Sequence, residues 1–160
     1  GNDNPNAQPE VLVAIGGLAG TSATTGLRTP TITRTRFVVG TTANTDFTAN
    51  DANAQIEVEI TFDEQVTVTG SPQLTVTNND ASGGGYGNLT LAYVSADSTA
   101  NQLRFRKTSA GIGNTDVLTV STLALNGGTI RDTAAAAAGN TVNATLTYGS
   151  GIAVSKTVSS

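Results

Sequence analysis

The sequence predicts an all-β fold, an antiparallel β-sandwich of about seven strands behind an extended N-terminal arm. Three observations lead there. Apolar and polar residues alternate with period two in a series of short runs, the pattern of strands that bury one face. Clusters of Gly, Asn, Asp, Ser and Pro separate those runs. No segment carries a convincing helical period, which argues against strands alternating with helices.

Residues 1–31 scatter Pro, Gly, Asn and Thr around one apolar island, Val11 to Ile15, and are expected to form the arm. The island suits either a strand added to a neighbouring copy or an ordinary strand of the same domain. Residues 32–148 carry the sandwich. Thr33, Arg34, Thr35 and Arg36 lead into Phe37, Val38 and Val39 as its first strand. In QIEVEITF, residues 55–62, Ile56, Val58, Ile60 and Phe62 share one face, with Gln55, Glu57, Glu59 and Thr61 on the other. This is the strongest strand signal in the chain, and the charged side is expected to face water.

Val66 and Val68 continue the alternation, Gly70, Ser71 and Pro72 form a turn that reverses or bends the chain, and Leu74 and Val76 resume it. NNDASGGGYG, residues 78–87, reads as a mobile loop in a hairpin or sheet-crossing connection rather than a phosphate cradle. Leu89, Leu91 and Tyr93 face inward, followed by Leu103 and Phe105 against Arg104 and Arg106. The run 116–128 ends in an Asn126-Gly127-Gly128 turn, and Ala134 to Ala138 suits one helical turn or a loop. VNATLTY, residues 142–148, places Val142, Ala144, Leu146 and Tyr148 on one face, and residues 149–160 form a C-terminal tail or edge strand.

Composition bounds the function. A chain of 160 residues suits one domain with a sizeable core, and charged residues are only 12% of it. Low charge with abundant Thr, Ser, Asn, Gly and Ala fits a β-rich extracellular or virion protein. The net charge of −4, with no basic stripe among aromatics, argues against nucleic acid as a partner. Cys, His, Met and Trp are absent, so disulfides, structural zinc and the usual general base are excluded. No apolar run approaches the roughly 18 to 20 residues of a membrane-spanning helix, and no membrane insertion is expected. VLVAIGGLAG, residues 11–20, follows Glu10 rather than a basic segment and is a poor secretory signal.

ITFDEQVTVTGSPQLTVTN, followed by LAYVSADSTANQLRF and LALNGGTIRDTAAAAAGN, resembles the Ig-like repeat of bacterial surface proteins, including cyanobacterial swimming-associated proteins. It is also similar to modules in structural proteins of tailed phages that infect marine cyanobacteria. Phe62, Val66, Val68, Gly70, Pro72, Leu74, Tyr93, Asn126, Gly127, Gly128, Ile130, Asp132, Gly139 and Asn140 occupy matching positions, in order, between about residues 32 and 148. The sequence departs from the repeat at Ala96, where it has a glycine, and at Gln65, where it has a proline. The resemblance implies an Ig-like sandwich in a structural, non-enzymatic role: a capsid decoration or fibre-like virion protein anchored through its arm. Its partners would be the major capsid or another virion protein and neighbouring copies of itself. An alternative is a bacterial cell-surface adhesin or extracellular filament subunit. A third is a carbohydrate-binding module that meets a host-surface glycan.

Candidate sites are weighed on the same residues. Asp63 and Glu64 are adjacent, so in extended backbone their side chains diverge, which does not suit two acids acting on one bond. Pairing Asp63 with Asp132 would restore a glycosidase geometry, but no spacing supports it. The pair is expected to mark a soluble rim at a strand end. Calcium would draw on Asp46, Asp51, Asp63, Asp80, Asp97, Asp116 and Asp132, with Asn44 and Asn140. The local Asp-rich loop of a calcium motif is missing, and these residues read as turn caps. Arg34, Arg36, Arg104, Arg106 and Lys107 suit a basic patch or, preferably, charges that guard sheet edges. Tyr86, Tyr93 and Tyr148 are the candidates for stacking on sugars, with Tyr93 and Tyr148 read as core. No catalytic, cofactor-binding or metal residue is assigned, and no cofactor is expected.

Overall fold

A computed structural model describes residues 29–39, 42–43, 55–108, 111–137, 139, 141–147, 152 and 154–158. The structure is all-β, an antiparallel β-sandwich as expected. Its strands are β1 (Ile32–Val39), β2 (Thr42–Ala43), β3 (Ile56–Phe62), β4 (Val66–Thr69), β5 (Gln73–Asn78) and β6 (Leu89–Tyr93). They continue with β7 (Gln102–Lys107), β8 (Val117–Ala124), β9 (Thr129–Asp132) and β10 (Ser155–Thr157). The strands divide unevenly between an eight-stranded sheet, ordered β10-β8-β5-β6-β7-β3-β1-β2, and the two-stranded ribbon β4-β9. The arm lies outside the described residues except for 29–31, and so does the apolar island Val11 to Ile15.

Register explains how the alternating residues meet. On β3, Val58 lies opposite Phe37 of β1 and Phe105 of β7, and Ile60 lies opposite Thr35 and Leu103. All are buried, and those other than the polar Thr35 join Leu74, Leu91, Leu118 and Ile130 in one core that the ribbon closes through Val66 and Ile130. Tyr93 packs on Phe105 with ring centroids 5.8 Å apart and planes tilted 52°. Among the described residues the outermost strands of the large sheet are short, two residues in β2 and three in β10.

Two bulges reconcile strands whose apolar spacing breaks period two. Ile32 is even-numbered and Phe37 odd-numbered, yet both are buried. The register shifts between Ile32 and Arg34, which inserts one residue and restores the inward phase. Likewise Leu118, Val120 and Leu123 all point inward because the β5–β8 register shifts between Thr75 and Val76.

The two glycine turns are sheet crossings. Gly70-Ser71-Pro72 carries the chain from the ribbon to the large sheet, and Asn126-Gly127-Gly128 carries it back. Asn126 and Gly127 both take positive φ, 49° and 79°, the backbone of a tight turn that favours Asn-Gly. The crossings touch: Asn126 Nδ2 donates to the Ser71 carbonyl at 3.2 Å, and a Cβ on Gly128 would sit 2.2 Å from the Thr69 carbonyl oxygen. Glycine at 128 is therefore a requirement of packing.

Two further expectations meet the structure. The alanine run makes one helical turn, α1 (Thr133–Ala137), begun by Asp132 Oδ1 accepting from the Ala134 amide at 2.8 Å. The stretch 142–147 forms no ladder strand, contrary to its alternation. It touches its neighbours at isolated points, where the Ala144 amide donates to Ile130 O at 2.7 Å and the Thr145 amide to Pro30 O at 2.8 Å. Ala144 is buried but Val142 is 46% exposed, so the apolar face is only partly used. Tyr148 lies outside the described residues.

Because the collision at Gly128 is with backbone, Gly128→Ala should destabilise the fold by about 2 kcal/mol or more. Urea denaturation checks this, with Gly127→Ala as a comparison, since a Cβ at Gly127 meets nothing within 4 Å and only the positive φ is strained.

Candidate functional site

Three polar assemblies stand out: a charge ladder on β3, an acidic corner beside Thr31, and a pair of loops organised by Asp116. The ladder overturns the expectation for the polar face of β3. Glu57 and Glu59 are each only 1% exposed. Arg104 bridges them, with Nη1 2.8 Å from Glu57 Oε1 and Nη2 2.8 Å from Glu59 Oε2. From β1, Arg36 Nε reaches Glu59 Oε1 at 2.8 Å and Arg34 Nη2 reaches the same oxygen at 3.1 Å. From β7, Arg106 Nε holds Glu57 Oε2 at 2.8 Å while its other end meets Asp97.

Arg104 and Arg106 stand on β7, an interior strand, and so guard no edge, whereas β2 covers β1 only at Val38 and Val39, beyond Arg34 and Arg36. On both strands the guanidinium groups neutralise carboxylates that the sheet has removed from water. Burial works to raise the Glu59 pKa, but the Arg36 hydrogen bond and the charges of Arg36, Arg104 and Arg34 outweigh it and hold it below the ordinary carboxylate range. The hydrogen bond to Glu57 chiefly pushes Arg106 up, against the effect of burial and with help from Asp97. Lys107 lies opposite Ile56, outside the ladder.

At the acidic corner the two neighbours take different roles. Asp63 clamps the chain just before β1: its carboxylate accepts from the Thr31 amide at 2.8 Å and the Thr31 hydroxyl at 2.6 Å. The Asp63 amide returns a bond to the Thr31 carbonyl at 3.0 Å. Glu64, rather than standing on a soluble rim, is half-buried, and its Oε1 has no hydrogen-bond partner among the described residues. Burial first, then the charges of Asp132 and Asp63, push its carboxyl up to about 7. The acid that shares a neighbourhood with Asp132 is Glu64, because Asp132 lies opposite Val66 in the ribbon.

The glycine-rich loop 79–88 joins β5 to β6 as a hairpin, and it is tied down rather than loose. Asp116, fully buried, accepts from Asn78 Nδ2 at 2.9 Å, the Ser82 amide at 2.9 Å and the Gly113 amide at 2.8 Å. Burial opposes ionisation, yet these hydrogen bonds lower the Asp116 pKa to about 2. Asp80 accepts from the Gly85 and Tyr86 amides at 3.1 and 3.0 Å, and Asn79 Oδ1 accepts from Ala81 and Val117.

The other acids act as separate backbone or side-chain partners. Asp97 meets Arg106 and Asp132 caps α1, and among the described residues no three such side chains converge as a metal site. Asp46, Asp51, Asn44 and Asn140 lie outside the described residues. The ladder has a sequence signal, two Arg-x-Arg pairs and one Glu-x-Glu pair on separate strands, whereas the organising role of Asp116 leaves none. Comparison with protein-family models, curated proteins and solved structures finds no match.

Two outcomes follow. Arg104→Met leaves two buried carboxylates short of a partner and should cost about 3 kcal/mol or more in urea denaturation, far above the effect of an exposed pair. For Glu64, a folded pKa of about 7 against an ordinary 4.5 means the native state holds more protons between those values. The contribution from Glu64 is then lost as pH rises through that window, so its melting temperature should fall. Glu64→Gln should flatten that part of the profile and raise the melting temperature at pH 8, as read by calorimetry across the range.

Proposed function

We propose that this chain is a non-enzymatic structural protein of an assembled particle, a capsid decoration or fibre-like component of a tailed-phage virion, held to its support through residues 1–31. The clamp at Thr31 carries the reading. The chain joins the sandwich at a fixed root, with three hydrogen bonds to Asp63 and a further bond from the Thr145 amide to Pro30. A short parallel bridge between Thr31 and Thr145 seats the root beside the C-terminal part of the domain. A rigid root suits anchoring, because a contact made by the arm then orients the whole sandwich without a further ordering cost.

The arm sequence complements this. Low in charge and rich in Gly and Thr around an apolar island, it suits strand addition to a partner edge, where main-chain hydrogen bonds carry much of the affinity. Copies on a symmetric lattice would gain avidity from weak individual contacts. The sandwich itself also suits a second setting, a bacterial adhesin or surface filament, which the same composition favours. Mass spectrometry of purified virions beside cell-envelope fractions separates the two.

The direct test removes residues 1–28 and leaves the Thr31 clamp in place. Co-sedimentation with purified capsids should fall to background for the shortened chain, with its melting temperature close to that of the full chain. Undiminished sedimentation would overturn arm anchoring.

A further inference from the structure

We propose that the cleft between the β5–β6 loop and the segment leading into β8 binds a neutral saccharide. This goes beyond the assembly role and does not depend on it. The cleft has a volume of about 430 Å³, within the range of small-molecule sites. Its lining includes Ser82, Gly84, Tyr86, Gly113, Asn114 and Thr115.

The chemistry of that lining selects the ligand. Ser82 Oγ already bonds Asp116 and accepts from the Gly84 amide, while the exposed Thr115 hydroxyl and Asn114 side-chain amide offer both donors and acceptors, which match the hydroxyls of a sugar ring. The half-buried Tyr86 contributes an aromatic wall for the apolar C–H edges of a sugar. Among the described residues no lysine or arginine lines the cleft to pair with phosphate or sulfate, and the net charge of −4 opposes anions.

The cleft is also built to hold its form. Asp116 fastens both walls at once, through the Ser82 amide on one and the Gly113 amide on the other. Asp80 fixes the backbone amide of Tyr86. The Tyr86 ring lies so close to Gly84 and Gly111 that a Cβ there would approach it to 2.3 and 2.9 Å. Thr115, a β-branched residue, sits at φ 73°, a strained conformation of the kind found at ligand clamps. A plain hairpin needs only about two connecting residues, so a long, tied-down loop with strain at its rim is better explained by binding than by connection.

Strand register places the cleft away from the root at Thr31. The loop follows Asn78 and the Ile56 end of β3, whereas Thr31 lies beside Asp63 at the Phe62 end. An anchored sandwich would thus present the cleft at its opposite end.

The test uses the full chain on an array of neutral hexose oligosaccharides, with sialylated and sulfated oligosaccharides as charged comparators. Bacterial O-antigen-type repeats beside β-glucan and mannan fragments separate an envelope source from a free polysaccharide. Any neutral oligosaccharide retained is then titrated calorimetrically. Tyr86→Ala and Asn114→Ala should each weaken it by about tenfold or more, and Tyr86→Phe should retain most of the affinity. Asn114 is exposed, so its variant tests binding even if Tyr86→Ala disturbs the loop. Removing residues 1–28 should leave saccharide binding unchanged, which keeps this result separate from the anchoring test. Absence of binding to every neutral probe, binding to charged probes alone, or parental affinity in Asn114→Ala would overturn the proposal.

Discussion

The two glutamates on β3 set the terms for the rest of the sheet. A carboxylate taken out of water is tolerated only where cations meet it with good geometry, and Glu57 and Glu59 draw arginines from both flanking strands. β3 must therefore lie between β1 and β7. The register is equally constrained, since a slip of one residue would turn the glutamates into the apolar core and bring Ile60 to the charged face. Apolar contact on one face and ion pairing on the other thus specify the same alignment.

This arrangement shows how a chain with so few charges uses them. Of 8 basic and 12 acidic residues, the ladder and Asp97 use seven, so much of the charge is directed inward or onto neighbours. The outer face of the other half of the sheet is furnished differently: Thr75 lies opposite Thr90 on β6 and Thr122 on β8, and Thr77 lies opposite Thr119. Threonine suits such positions because its branched side chain fits a pleated surface and its hydroxyl remains satisfied in water. The short-chain acids at strand ends do other work. Asp63, Asp80, Asp116 and Asp132 each accept from a backbone amide, so loops gain internal partners without regular structure.

Much of the fold is legible in the sequence because period two is a local property. Ile56 to Phe62, Leu89 to Tyr93 and Leu103 to Phe105 all show it, and all form strands. What alternation reports is polarity, not exposure. Glu57 and Glu59 read as solvent-facing because the arginines that cover them lie more than 20 residues away along the chain, with |i−j| of 23 for Arg36 and 47 for Arg104. The bulges in β1 and β8 break local phase and are visible only once the partner strand is present. VNATLTY shows the reverse: Val142 to Leu146 alternate well but meet too little neighbouring edge to form a ladder. The glycines at the crossings were recognisable as turn residues, while their mutual contact depends on two segments 58 positions apart, Gly70 and Gly128.

The candidate sites follow the same division between local and distant information. Asp63 and Glu64 show their carboxylates plainly, but only topology distinguishes the one that holds Thr31 from the one pressed toward Asp132. Tyr86 stands in a loop whose glycines suggest mobility, yet a carboxylate 30 residues later, Asp116, reaches back to fasten it. Read together, the root and the cleft give the sandwich a direction. β3 rises roughly 3.3 Å per residue, so its seven residues separate the two ends by about 20 Å. Flexible strand ends would blur that separation, whereas Asp63 fixes one end and Asp116 the other. Two bonded carboxylates thereby fix opposite ends of a small low-charge domain, which is the arrangement that the proposed anchoring at one end and binding at the other would require.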